Sequence, residues 1–62
     1  MPSIIIELLK MSKEKKAQLV KEITESTSRL TGLPKQTIFV FIKENEQENV
    51  GVGGVLLTDK SK

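Results

Sequence analysis

Two apolar, β-branched runs bracket one long amphipathic stretch, and that order leaves a chain of 62 residues few possible folds. The first run, Ser3 to Leu9, is interrupted only by Glu7, and the second, Thr37 to Ile42, is apolar after its first residue. Ile, Val and Phe in such density favour a pleated, buried surface, and apolarity that does not alternate predicts strands covered on both faces. Between them the spacing predicts a helix from Lys13 to about Leu30. Leu19, Val20, Ile23, Thr27 and Leu30 fall on one stripe, with Ala17 at its edge; Glu14, Lys15, Gln18, Lys21, Glu22, Glu25 and Arg29 fall opposite. Ser12 is placed to cap its start, Glu14 suits the positive end of the dipole, and Lys15 stands where a capping box would need Glu or Gln. Glu25 and Arg29 make a favourable i,i+4 pair. Gly32 reads as the residue that ends the helix, and Pro34 prevents its continuation.

Strand, helix and strand in this order form a right-handed βαβ unit with parallel strands. Lys43 to Asn49 is polar and reads as a turn, with Glu44, Glu46 and Glu48 as solvated surface. Val50 to Leu57 holds too much Gly for a central strand and reads as a short hairpin or bulged edge segment. Thr58 to Lys62 reads as a frayed tail. The expected class is α/β (α+β), a single domain over residues 1–62. It consists of one βαβ unit plus a short C-terminal β-hairpin.

Such a unit has a physical difficulty. One helix covers one face of a two-stranded sheet, yet both strands are apolar on both faces. An open apolar face is an association surface. A chain this short buries only about 60% of its unfolded surface when it folds alone. With no Cys and no His, neither a disulfide nor a zinc site of the usual kind can compensate. A homo-oligomer is therefore expected.

The same absences prune the chemistry. Thiol nucleophiles, imidazole bases and His-based metal sites are excluded, and no cofactor is expected. Carboxylates, Lys and a terminal amine remain for proton transfer. A net charge of +2, with Phe39 and Phe41 as the only aromatics, argues against a nucleic-acid partner. There is no apolar run of membrane-spanning length and no signal-peptide pattern, so a cytoplasmic location is the default.

The candidate base is Pro2. An initiator Met followed by a small residue is normally removed, which would leave the Pro2 ring nitrogen as a free secondary amine. An α-amino group has a reference pKa of about 7.7–8.0, and apolar surroundings lower it further. A base near 7 suits general acid–base work. The plainer alternative is that Pro follows Met by chance. Lys10 is either an anion contact or an ordinary loop charge, and Lys16 lies within the apolar stripe in the first turn, where its head can reach water. Gly51-Val52-Gly53-Gly54 lacks the Gly-Lys-Ser/Thr ending of a phosphate loop and no helix is expected after it, so tight-turn geometry accounts for it better.

Met-Pro at the start, the helix opening at Ser12 with Glu14 and Lys16, the buried second strand and Asn49-Val50-Gly51-Val52-Gly53-Gly54 together resemble the 4-oxalocrotonate tautomerase family over the whole chain. The resemblance implies a small βαβ protein assembled as a homohexamer, a trimer of dimers. It implies that Pro2 moves a proton between positions of a small enol or keto acid substrate, and that backbone N–H groups around Leu8 or Leu9 help hold it. The first segment is one residue shorter than in the best-known members, so a gap falls before Ser12.

Three departures follow from the same resemblance. Where those members carry an Arg before the helix, this chain has Lys10-Met11; where they carry an Arg in the second strand, it has Phe39; and their aromatic residue before the GxGG is Val50 here. Arg clamps a carboxylate bidentately and Lys does so poorly. The expected site is thus Pro2 with Leu8, Leu9, Lys10, Phe39 and Val50, weak toward the family's usual dicarboxylate. Two alternatives stay open: a Pro2-dependent hydratase or dehalogenase, or a non-catalytic oligomeric binding or scaffold protein if Met1 is retained and Pro2 nitrogen is an amide.

Overall fold

The computed structural model describes residues 2–60. Strand β1 spans Ser3–Leu8, helix α1 spans Lys13–Thr31, and strand β2 spans Phe39–Glu44. β1 and β2 pair in parallel, with Ser3 opposite Phe39 and Leu8 opposite Glu44. β3 (Gly51–Val52) and β4 (Val55–Leu56) form an antiparallel hairpin, followed by a short helix α2, Leu57–Lys60. The expected βαβ unit and C-terminal hairpin are both present.

The ends of α1 obey local chemistry. Ser12 Oγ accepts the Lys15 N–H at 3.2 Å, and Gly32 at φ 78° donates its N–H to the Ser28 carbonyl at 2.9 Å. A left-handed residue at this position lets the chain leave the helix while satisfying an orphaned carbonyl. Gly53 and Gly54, at φ 62° and 84°, supply the two consecutive positive angles that a two-residue hairpin turn requires.

Several sequence expectations change. β1 stops at Leu8, before Leu9. Thr37 belongs to a 3₁₀ turn over Lys35–Thr37, where its hydroxyl donates to the Pro34 carbonyl at 2.7 Å. β2 instead runs on through Lys43 and Glu44, because Glu7 and Leu8 continue the pairing opposite them. Thr58 to Lys60 are helical instead of frayed, while Ser61 and Lys62 lie outside the described residues, as does Met1. Glu25 pairs with Lys35 at 3.7 Å and not with Arg29.

Leu30, placed on the apolar stripe by periodicity, is 75% exposed. The helix has 19 residues and β2 has 6. At 1.5 Å per helical residue and roughly 3.3 Å per strand residue, α1 is about 28 Å long against about 20 Å of sheet. Its first turn is level with the end of β2, where Lys16 meets Glu44 at 3.2 Å. The overhang therefore falls at the other end, beneath Leu30.

The strands bury alternate residues only. Ile4, Ile6, Leu8, Val40 and Ile42 are partly covered, while Ile5, Phe39 and Phe41 lie on the opposite, open face. Among the described residues only Ile38 is buried, at 9% exposure. The accessible surface is 4895 Å² for a 6.9 kDa chain, where the scaling for folded monomers gives about 4,000 Å². The radius of gyration is 15.0 Å, against about 10.6 Å for a compact chain of this length. Both excesses have one source: a thin two-layer unit with a projecting hairpin. Among the described residues, no helix is long and apolar enough to cross a membrane.

Candidate functional site

The parallel ladder extends one step beyond β1. Phe39 donates its backbone N–H to the carbonyl oxygen of Pro2 at 3.0 Å, so Pro2 is held at the start of the sheet although it lies outside the strand. Pro2 is partly covered, as are Ile4, Ile6 and Leu8 at the alternate positions after it. Phe39 lies instead on the open face, where its ring stacks with that of Phe41 at a centroid distance of 6.5 Å and an interplanar angle of 17°. Pro2 and Phe39 are backbone neighbours on opposite faces of the sheet.

The remaining candidates gather at the far end of β1. Leu8, Leu9 and Val50 line a cleft of about 400 Å³ together with Glu7, Asn45, Asn49, Gly51 and Leu57. Leu9 and Lys10 also line an adjoining, more polar cleft of about 570 Å³ with Glu46, Gln47 and Glu48. Lys10 Nζ, largely exposed, lies 3.8 Å from Glu46 Oε1. Six residue steps of strand, about 20 Å, separate these clefts from Pro2. One chain brings Leu8, Leu9, Lys10 and Val50 together, and leaves Pro2 and Phe39 apart from them.

The family model described as tautomerase enzyme matches residues 2–60. A probable tautomerase of Lactiplantibacillus plantarum is 38% identical over 61 residues, covering 97% of this chain and 95% of the relative. A probable tautomerase of Listeria monocytogenes is 37% identical over 60 residues, covering 95% and 98%. The chain belongs to the 4-oxalocrotonate tautomerase family. The crystal structure of YwhB, a homologue of 4-oxalocrotonate tautomerase, superimposes with a TM-score of 0.88 at 32% identity, covering 94% of this chain and 97% of that one. TomN, a homologue from the tomaymycin biosynthetic pathway, gives 0.92 at 26% identity, covering 97% and 94%. This protein is accordingly an enzyme, a tautomerase that transfers protons between positions of its substrate.

Sequence reasoning missed a second group of residues in this tautomerase. Glu44 reads from sequence as solvated surface, yet both of its carboxylate oxygens are engaged. Oε2 accepts the backbone N–H of Met11 at 2.9 Å and Oε1 accepts from Lys16 Nζ at 3.2 Å. The Met11 N–H, followed by the Lys16 ammonium, lowers the Glu44 pKa below its ordinary 4.5. Asn45 was also missed: its N–H donates to the Leu8 carbonyl at 2.7 Å and its side-chain amide to Glu7 Oε1 at 3.4 Å. The signal lay in the alternation. Continuing β2 by two residues puts Lys43 opposite Glu7 and leaves Glu44 on the side of Lys16, the one cation in the apolar stripe. Among the described residues no group of three or more His, Cys, Asp or Glu side chains could hold a metal ion.

Proposed function

We propose that this tautomerase uses the amine of Pro2, freed by removal of Met1, as general base and then general acid on a small enol or keto acid. The observation that carries the reading is the placement of Pro2: partly covered at the head of the sheet and tethered through its own carbonyl to Phe39 at 3.0 Å. A tether on the carbonyl side leaves the nitrogen free for chemistry. An amine that is partly covered at the head of an apolar strand sits where burial disfavours the charged form, which suits a general base.

The proton balance is simple. The neutral ring nitrogen takes the hydroxyl proton of the enol, the O–H electron pair becomes the carbonyl π bond, and the C=C pair takes a proton back from the ring ammonium at carbon. One proton leaves and one returns.

The site is shared between copies. About 20 Å of strand separates Pro2 from Leu8, Leu9, Lys10 and Val50, far more than a small acid spans. A second chain that covers the open face of Ile5, Phe39 and Phe41 and extends past the head of the strand pair, where Pro2 begins, can bring its own far end, or its own Phe39, to the first chain's Pro2. We favour a homohexamer working in the cytoplasm. Backbone N–H groups near Leu8 and Leu9 and the Lys10 ammonium bind the acid in place of two Arg clamps, and Phe39 and Val50 make the pocket apolar. Tautomers of a monoacid with an apolar tail suit such a pocket better than those of a dicarboxylate.

The test compares three preparations on the enol of phenylpyruvate, whose ketonisation changes its ultraviolet absorbance. Protein lacking Met1 should be active, protein retaining Met1 inactive, and Pro2→Ala slowed by about 10²–10⁴-fold. Equal rates for the three preparations would eliminate Pro2 as the base.

A further inference from the structure

The segment that joins β1 to α1 is strapped at both ends. At its start the Leu8 carbonyl accepts the Asn45 N–H at 2.7 Å. At its finish the Met11 N–H donates to Glu44 Oε2 at 2.9 Å, across 33 residues of sequence. Only Leu9 and Lys10 lie between the straps, and both are exposed and line the clefts at the end of the sheet. Glu44 is placed by the sheet, since its backbone forms the last step of β2 opposite Leu8, and its other oxygen accepts from Lys16 Nζ at 3.2 Å. The strap thus runs from the end of β2, through the Glu44 side chain, to the backbone of Met11.

A carboxylate that served only to staple the helix to the sheet would need Lys16 alone. It would have no use for an N–H one residue beyond Lys10. Stapling and loop positioning therefore make different demands on the two oxygens.

We propose that Glu44 is a positioning residue of this tautomerase, holding Leu9 and Lys10 through the Met11 N–H so that their N–H groups and ammonium meet the substrate acid. The proposal rests on the reading that this segment contacts substrate. Glu44 itself touches none. An exposed cation on a free loop loses side-chain and backbone freedom on every binding event, whereas a loop held at both ends has lost the backbone part already. Loss of the strap should therefore weaken binding more than it slows the chemical step.

The experiment uses the full chain lacking Met1, with the enol of phenylpyruvate as substrate and phenylpyruvate as ligand. Glu44→Ala should raise KM about tenfold with kcat within twofold, and should speed amide hydrogen exchange at Met11. Glu44→Gln keeps a carbonyl oxygen for the Met11 N–H and should hold KM within about threefold of wild type. Lys16→Met removes the staple and leaves the strap, so it should lower stability with KM near wild type. If Glu44→Ala does not fold, Glu44→Asp keeps the charge but is one methylene too short, and should raise KM several-fold. The proposal is overturned if these short variants leave KM within twofold of wild type, or if Lys16→Met raises KM as much as they do. Phenylpyruvate affinity, followed by the Leu9 and Lys10 amide shifts, separates this result from the fate of the base. Pro2→Ala should bind as wild type does and turn over about 10²–10⁴-fold more slowly, whereas Glu44→Ala should bind poorly.

Discussion

The backbone N–H of Phe39 lies 3.0 Å from the carbonyl oxygen of Pro2, while the Phe39 ring stacks on Phe41 on the open face of the sheet. On the proposed reading, the same residue fixes the position of one chain's base and offers its side chain to a neighbour. On the shared-site reading, Phe39→Arg restores a carboxylate clamp in an adjacent copy. A hydrogen bond to a charged group is worth about 1.5–3 kcal/mol. We expect kcat/KM for a dicarboxylate enol to rise by roughly ten- to a hundredfold, with a smaller change for the enol of phenylpyruvate. Parallel steady-state kinetics on the two substrates check this.

Ile5 and Phe41 face each other across the β1–β2 pair, at 60% and 47% exposure. Full burial of one such side chain contributes about 1.5–3 kcal/mol, so Phe41→Lys removes that gain and leaves a desolvated charge at any interface there. Sedimentation should show the assembly falling apart at concentrations where the wild-type protein stays associated. On the shared-site reading, activity should fall with it. A fully active monomer would refute the shared site.

Glu44 has a lowered pKa, and the sign of its linkage follows from that direction. A carboxyl group that is more acidic folded than unfolded contributes stability above its unfolded pKa, and that contribution is lost as pH falls through the folded value. Denaturation midpoints should therefore decline as pH drops below the ordinary 4.5 toward the lowered folded value. Glu44→Gln cannot ionise and should show a flatter decline over the same window. Urea melts at a series of pH values would reveal no difference between the two proteins if the Met11 N–H and the Lys16 ammonium contributed nothing through the charged carboxylate.

At Gly53, an added Cβ would meet nothing within 4 Å, so the cost of a side chain there is set by the positive φ of 62°. Left-handed backbone costs a residue with a Cβ roughly 1–2 kcal/mol, and Asn less than most. Gly53→Ala should lower the urea midpoint, and Gly53→Asn should lower it less. Identical midpoints for all three proteins would show that the turn is not held in this geometry.

The parts of this fold that depend on neighbours in sequence are legible in the sequence itself. Ser12 and Gly32 bound the helix where capping rules place them, and two glycines make the hairpin turn. What escaped was set by elements meeting in space. Leu30 obeys the helical period but sits past the end of the sheet, which periodicity cannot register. Glu44 looks like one of three alternating loop acids until Leu8 is found opposite it. The site divides in the same way. Pro2 is proposed from its place after Met1, whereas Leu8, Leu9 and Val50 line one cleft and Lys10 the adjoining one. Their distance from Pro2 depends on a register and a strand length that composition does not carry.

Ile38 is the one described side chain shut away from water, and that has a consequence for the life of the protein in a cell. On the assembled reading, a freshly made copy holds almost nothing of its own against unfolding and must borrow an interior from others. Persistence then depends on abundance, because dilution below the association range returns each copy to the unfolded, protease-sensitive pool. Catalytic capacity should climb more steeply than the amount synthesised, so that a sparse supply of chains yields almost none of it.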